Sequence, residues 1–525
     1  MGTVSHRTTG TLNIMHSTME ETLLFSNFEV TLLVLILGVL LIFKFRKAEN
    51  KNLPPGPPSI PVIGHLHLLK EPFHQMLQDL SQKYGPILSL SLGFRPVVVV
   101  SSPAAAQECF SKNDIIFASR PRMISGKILN YDYTAVGATA YGQHWRIMRR
   151  IATTELLSTY RLNALINIRQ QEVKLWLKSL YRISGKNNVR VEIRSKLTEL
   201  SFNIALMLMV GKRYFGDEAV DDSEEARELK NTMKQVPLLS GASYPADFLS
   251  VLKLVDYQGF RKRLAKVRVD GDAFAQSLID ERRNKKADDN ERKTMIDSLL
   301  SMQQMEPEYY KDDIIKGQFL TLLAAGTDTT AGTLEWALSL LLNHPTAMKK
   351  AWTEINEHVG DERLVEEMDL NQLHYLQGII NETYRLFPAL PILVPRESSE
   401  DCTIGGFDVP KGTMLVVNAW AIHRDPKVWE DPNSFRPERF KEGESVEVSK
   451  LLPFGMGRRA CPGAGLAHRV VGLALATLIQ CFEWERLDNK EVDLTPGIGL
   501  TMPKASPLVA MFKPRAPIIH LLSQL

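Results

Sequence analysis

The chain has 525 residues, longer than one ordinary domain, yet within reach of a large single-core enzyme. Its 44% apolar and 23% charged residues are the balance of a folded globular protein, and a net charge of +3 gives no argument for a nucleic-acid partner. The four cysteines, at 109, 402, 461 and 481, are scattered without paired spacing, which disfavours a zinc cluster or a disulfide framework and suits a reducing compartment.

The first 18 residues are polar and carry no pattern. Met19-Glu20-Glu21-Thr22 stands immediately before an apolar stretch, so residues 1–21 read as an extension, with translation expected to start at Met19. Residues 30–43 are apolar but for Thr31. Counted from Thr22 the stretch reaches about 33 Å as a helix, enough to cross a bilayer, although Glu29 then lies inside it. Lys44, Arg46, Lys47 and Lys51 follow at once, which keeps the downstream chain in the cytosol. With no small-residue cleavage site after it, residues 22–45 are expected to form a retained membrane anchor. Leu53-Pro54-Pro55-Gly56-Pro57-Pro58, with Pro61 behind, makes residues 46–61 a basic and stiff spacer. Residues 62–525 are left for the catalytic body.

Downstream, 87–93 and 97–100 read as two strands of a hairpin turning at Phe94-Arg95-Pro96. Helical stretches then dominate, among them 172–182 and 191–210, and the charged run 280–292 reads as a solvated loop or helix end. Trp145-Arg146-Ile147-Met148-Arg149 is a basic helix face. Residues 317–343 read as one long apolar helix, interrupted at Ala325-Gly326-Thr327-Asp328-Thr329-Thr330, because Gly and Thr weaken a helix interior and Thr hydroxyls bond the backbone one turn back. An acid beside an alcohol in such a helix suits proton delivery to a buried site, and also suits a helix cap. Glu382 and Arg385 are neighbours on one helix face.

The densest signal comes last. Phe454-Gly455-Met456-Gly457-Arg458-Arg459-Ala460-Cys461-Pro462-Gly463 packs a Phe, three glycines, two arginines and one Cys into ten residues. Glycines let the backbone approach closely, Arg459 can pair an anion, and a helix starting just after the Cys would aim its positive end at the sulfur. Gly455-x-Gly457-x-x-Ala460 also fits a relaxed dinucleotide fingerprint, but Leu451-Leu452-Pro453 is a poor preceding strand.

The run Phe-Gly-x-Gly-x-Arg-x-Cys-x-Gly matches the haem-ligand signature of the cytochromes P450 at every fixed position, and from the proline hinge to about Arg515 the chain resembles that family. The resemblance implies a mainly α fold, a large helical domain plus a small β-rich domain, behind an N-terminal transmembrane helix. It implies haem b with Cys461 as axial iron ligand, held in the Phe454–Gly463 frame, and Trp145, Arg149, Arg396 and Arg459 around its propionates. It assigns Asp328 and Thr329 to oxygen activation, and Glu382, Arg385 and Arg439 to a structural network behind the haem. Substrate contacts are implied within 117–136 (with Tyr131 and Tyr133), near 236–248, along 322–325, at 390–394 and around 500–502. Residues 133–137, 141–145 and 454–473 resemble plant microsomal members that oxidise flavonoids, isoflavones and lignans, while Ala140 and Gln143 depart from the Pro and Asp of that group. The implied activity is a monooxygenase of plant specialised metabolism acting on a lipophilic small molecule, with O2, and with electrons from NADPH through cytochrome P450 reductase. The implied location is the endoplasmic reticulum membrane, single-pass, with the body cytosolic. A terpenoid hydroxylase, a haem-thiolate isomerase or lyase independent of the reductase, and a non-enzymatic haem sensor are the other readings.

Overall fold

The computed structural model describes residues 52–525 together with Leu32 and Gly38, apart from 186, 217–223, 242–243, 255, 286–291 and 441–445. The extension, the anchor and most of the basic spacer expected above therefore lie outside the described residues. Among the described residues one helix, Ala464–Cys481, is long and apolar enough to cross a bilayer, but Val470 to Cys481 within it are core.

Two β pieces flank a helical body. Ile87–Leu92 (β1) and Arg95–Val100 (β2) pair antiparallel around a tight turn at Gly93-Phe94. The alternation of β1 and the β-branched run of β2 give both strands buried faces, against which the parallel strand Met414–Val417 (β7) adds, Val97 opposite Met414. The short edge strand Arg396–Glu397 (β4) closes the order β1-β2-β7-β4. Cys402–Ile404 (β5) and Phe407–Val409 (β6) form a separate hairpin. Val189–Glu192 (β3) joins Val509–Pro514 (β9) and Phe482–Arg486 (β8) in a second sheet, order β3-β9-β8.

That second sheet corrects one helix boundary. The helix read from Val191 begins at Ile193, because Val191 and Glu192 pair with Ala510 and Val509. Glu192 instead caps it, its carboxylate accepting the Ser195 N–H at 2.9 Å.

The helices that build the site are Gln143–Ala152 (α1), Ile166–Ser184 (α2), Ile193–Met209 (α3), Phe260–Asn284 (α4), Asp312–Asn343 (α5), His374–Leu386 (α6) and Ala464–Cys481 (α7). α5 is the axis, with α3 laid along it and α4, α6 and α7 packed around it. Asp312 and Asp313 in its first turn oppose the positive helix end. The expected interruption at 325–330 is absent: α5 is continuous. Its hydroxyls bond back within the helix, Thr327 to the Leu323 carbonyl at 2.8 Å, Thr329 to Ala325 at 2.7 Å and Thr333 to Thr329 at 2.9 Å. Self-satisfied in this way, the polar run has no need to unwind.

Candidate active site

The cysteine loop is a strapped turn. The Cys461 N–H donates to the Phe454 carbonyl at 2.8 Å and the Ala460 N–H to Gly457 at 2.9 Å. Gly457 has φ +73°, and a Cβ there would fall 2.3 Å from Asp114 Oδ1 and 2.7 Å from the Phe110 carbonyl, so no other residue fits without moving backbone. Asp114 in turn accepts the Arg458 N–H at 3.0 Å, fixing the loop to the segment before β4 in space. α7 begins at once, with Gly463 at its N-cap. Cys461 remains accessible but deeply set. Burial raises its thiol, while N–H groups of Gly463 and Ala464 and the Arg149 cation lower it, the pattern of a sulfur prepared for an ionised, metal-bound state.

Around that loop guanidinium groups crowd together. Arg459 donates to the carbonyls of Ala118 at 2.6 Å, Val136 at 3.1 Å and Thr139, and lies 4.7 Å over the Trp145 ring. Arg396, delivered by β4, donates to the Met456 carbonyl at 2.7 Å and stacks on Phe110. Its Nη1 is buried without a hydrogen bond, and the Asp114 carboxylate stands 3.8 Å off. Arg120 spans the same space, donating to Val394 at 2.6 Å and Pro395 at 2.9 Å. Burial pushes all three down, Arg396 to about 10 against the opposing charge of Asp114, and Arg459 to about 9; repulsion from neighbouring guanidinium groups adds to the effect at Arg120 and Arg459. A dry cluster of cations with an orphaned N–H requires anions, and the two propionates of haem fit it. Arg149 is differently occupied, donating to the Ala460 carbonyl at 2.8 Å beside the sulfur. Sequence reading did not single out Arg120; its only signal was an Arg before Pro121 ahead of an apolar loop.

α5 supplies the opposite chemistry. It is buried on most sides, yet Ala325 is exposed and Thr321, Leu322 and Thr329 are partly so. Leu320, Ala324, Gly326 and Asp328 are partly accessible too; the stripe through Thr321, Ala325 and Thr329, most open at Ala325, marks the wall of an internal recess. Thr329 lies on that stripe. Asp328 points away into a polar joint: Arg194 of α3 ion-pairs with it, and the Thr501 hydroxyl donates to its other oxygen at 2.7 Å. Arg194 also reaches Glu335 at 3.3 Å, whose carboxylate accepts the Leu508 N–H at 2.8 Å. Arg194 was not foreseen from sequence, and Thr501, inside the 500–502 stretch implied for substrate contact, is instead bonded to Asp328.

The implied substrate positions divide. Tyr131 is buried, with its hydroxyl donating to Asp272 of α4 at 2.9 Å and Arg268 stacked on its ring at 3.2 Å, so it clasps the loop to α4 rather than lining the recess. Tyr131, Asp132 and Tyr133 all have positive φ, a turn held by those contacts. Phe117 is wholly buried in the core under β2 and β7. Leu390 and Val394 stay half-buried, while Met502 is nearly buried with its N–H on the Ala389 carbonyl at 3.0 Å.

Behind the loop, Glu382 accepts two 2.7 Å bonds from Arg385, one of 3.2 Å from Arg439 and the Arg436 N–H at 2.9 Å. Glu382 and Arg385 are fully buried. Arg385 also donates to the carbonyls of His423, Pro432 and Ser434, tying α6 to the segment that leads into the cysteine loop.

A cavity of about 640 Å³ lies apart from Cys461 and is lined by residues including Leu66, Leu69, Phe73, Leu238, Phe248 and Ile498. It adjoins the segment whose Thr501 holds Asp328. Leu238 and Phe248 there belong to the implied 236–248 substrate stretch, but none of the residues implied for haem binding or oxygen activation lines this cavity, so the chemistry belongs to the recess beside the sulfur.

Comparison with known proteins gives the family. The family model described as cytochrome P450 matches residues 54–511. The chain is 53% identical to "Cytochrome P450 81Q32" of Catharanthus roseus, over 95% of this chain and 98% of that one. It is 48% identical to "(+)-piperitol/(+)-sesamin synthase CYP81Q2" of Sesamum radiatum, over 95% and 97%, and 48% identical to "Isoflavone 3'-hydroxylase" of Medicago truncatula, over 91% and 96%.

Proposed function

Given that the chain belongs to the cytochrome P450 family of haem b-dependent monooxygenases, we propose that it oxidises a lipophilic phenolic of plant specialised metabolism, such as a flavonoid, isoflavone or lignan. The observation that carries this reading is the pairing of the strapped Cys461 loop with the accessible Ala325–Thr329 stripe of α5. The named activities of the sesame and Medicago relatives supply the substrate class.

Haem, when bound, supplies the iron at which dioxygen is reduced and cleaved, one atom passing to substrate and the other to water. The chain's own residues set the conditions. The Cys461 sulfur would hold the iron, and the α7 N-terminus with Arg149 opposes the burial that raises its thiol, leaving the bound metal to complete the ionisation. Arg120, Arg396, Arg459 and Trp145 receive the propionates, with Phe454 and Gly463 framing the loop. Thr329, its proton engaged with Ala325, presents oxygen lone pairs to the recess, where they would accept a hydrogen bond that positions a proton-carrying water. Asp328 is the neighbouring acid through which protons are renewed. Apolar Leu322, Ala325, Leu390 and Val394 suit a flat, poorly hydrated substrate.

Electrons come singly from NADPH–cytochrome P450 reductase. Residues 22–45 anchor the protein in the endoplasmic reticulum membrane by one span, with the catalytic body cytosolic; the apolar run and the cations after it support this topology. Microsomes holding this chain and a plant reductase should convert an isoflavone or lignan to an oxygenated product only when NADPH is present. Turnover of fatty hydroperoxides without NADPH or reductase, and none of phenolics, would overturn the proposal.

A further inference from the structure

Tyr384 sits between Glu382 and Arg385 in α6 but takes no part in their network. It is 3% exposed, and its hydroxyl has no hydrogen-bond partner among the described residues. A phenol O–H left unpaired in a dry interior costs about 1–3 kcal/mol, and native proteins keep few of them.

Its surroundings say what the hydroxyl is for. The Tyr384 ring meets Phe454 at 5.1 Å and His468 at 5.5 Å, and those two rings meet each other at 5.1 Å. The trio joins α6, the cysteine loop and α7. Phe454 is the residue whose carbonyl holds the Cys461 N–H. Among the described residues, the charge acting on the Tyr384 hydroxyl is that of Cys461; together with burial it holds the phenol well above its ordinary range. Burial keeps His468 neutral, so no second charge enters the cluster from that side. The O–H thus stays protonated and free to orient toward negative charge.

We propose that Tyr384 is a positioning residue for the iron-ligating sulfur, its buried O–H dipole stabilising the anionic Cys461 from behind the loop and restraining electron donation to the metal. The inference rests on haem ligation by Cys461. Groups of this kind, bonded to or oriented at a ligand, tune metals without touching them. A sulfur deprived of the dipole donates more strongly, favours the ferric state and lowers the reduction potential.

The test compares the haem-loaded full chain with Tyr384→Phe, which keeps the ring and removes the oxygen. Dye-mediated titration should show the ferrous-to-ferric ratio at a fixed potential falling about threefold to tenfold, tenfold being 59 mV for one electron. The absorption maximum of the reduced carbon-monoxide form should move to longer wavelength. A ring that merely packs predicts no change in either quantity, so an unchanged or raised potential overturns the inference. Tyr384→Leu separates the roles further: it should share the potential of Tyr384→Phe while losing thermal stability, and a potential restored to that of the parent also overturns it. A parent chain lacking a thiolate-type reduced carbon-monoxide spectrum would instead remove the ligation on which the inference stands.

Discussion

Replacing Glu382 with Gln removes the only carboxylate that Arg385 contacts among the described residues, in a site where both side chains are fully buried. Arg385 would keep its bonds to three carbonyls, but its charge, and that of Arg439, would lose the compensating anion. Leaving a buried charge unpaired costs about 3–5 kcal/mol, against a total stability of about 5–15 kcal/mol for a folded protein. Glu382→Gln should therefore yield little haem-loaded protein, and its unfolding free energy, from urea titration followed by loss of the reduced carbon-monoxide signal, should drop by that amount. The companion variant Arg385→Met, alone and combined with Glu382→Gln, completes a cycle. If the two residues act as one unit, the double change costs less than the sum of the singles by more than about 1 kcal/mol. Single costs below about 0.5 kcal/mol, or strict additivity, would refute the account of a buried, mutually dependent pair.

Thr329→Ala should keep the reduced carbon-monoxide spectrum while NADPH consumption continues with less product and more released peroxide; unchanged product per NADPH would count against the proton role. Arg194→Gln removes the cation shared by Asp328 and the buried Glu335, so it should lower product per NADPH and cost about 2–4 kcal/mol in urea unfolding. Retention of both quantities would show that the joint is idle. His423 is buried with a neutral ring that accepts the Leu452 N–H at 2.8 Å, and burial lowers it to about 3. Its folded value lies below its unfolded one, so the unfolded chain takes up the proton first and stability is lost as pH falls below about 6.5. About 2 kcal/mol should be gone at pH 5 relative to pH 8, read from urea midpoints, and a flat profile that His423→Gln leaves unaltered would contradict the neutral ring.

The parts of this protein visible in its sequence are those whose partners lie nearby in the chain or whose chemistry demands one residue type. The β1–β2 hairpin was legible because its strands pair across a two-residue turn. The cysteine loop was legible because Gly457 has backbone atoms where a side chain would go. Distance hid the rest. Arg194 meets Asp328 across 134 positions, Thr501 across 173, and α3 carries no pattern that marks Arg194 among its charges. Val191 and Glu192 continued an apolar helical period, yet the C-terminal strand recruits them. Tyr131 looked like a wall of the recess because aromatic residues suit both roles, and only Asp272 and Arg268 decide between them. The expected break in α5 failed for a local reason: its threonines find acceptors four residues back within the helix.

The joint at Arg194 has a bearing on natural variation. A guanidinium outside every recognisable signature restrains the acid next to Thr329, so an allele altered at 194 would pass any motif-based screen as intact. Plants carrying it would hold a pigmented, correctly assembled protein that wastes reductant. Searching for lost chemotypes should thus extend to α3, a helix outside every substrate stretch implied by the sequence.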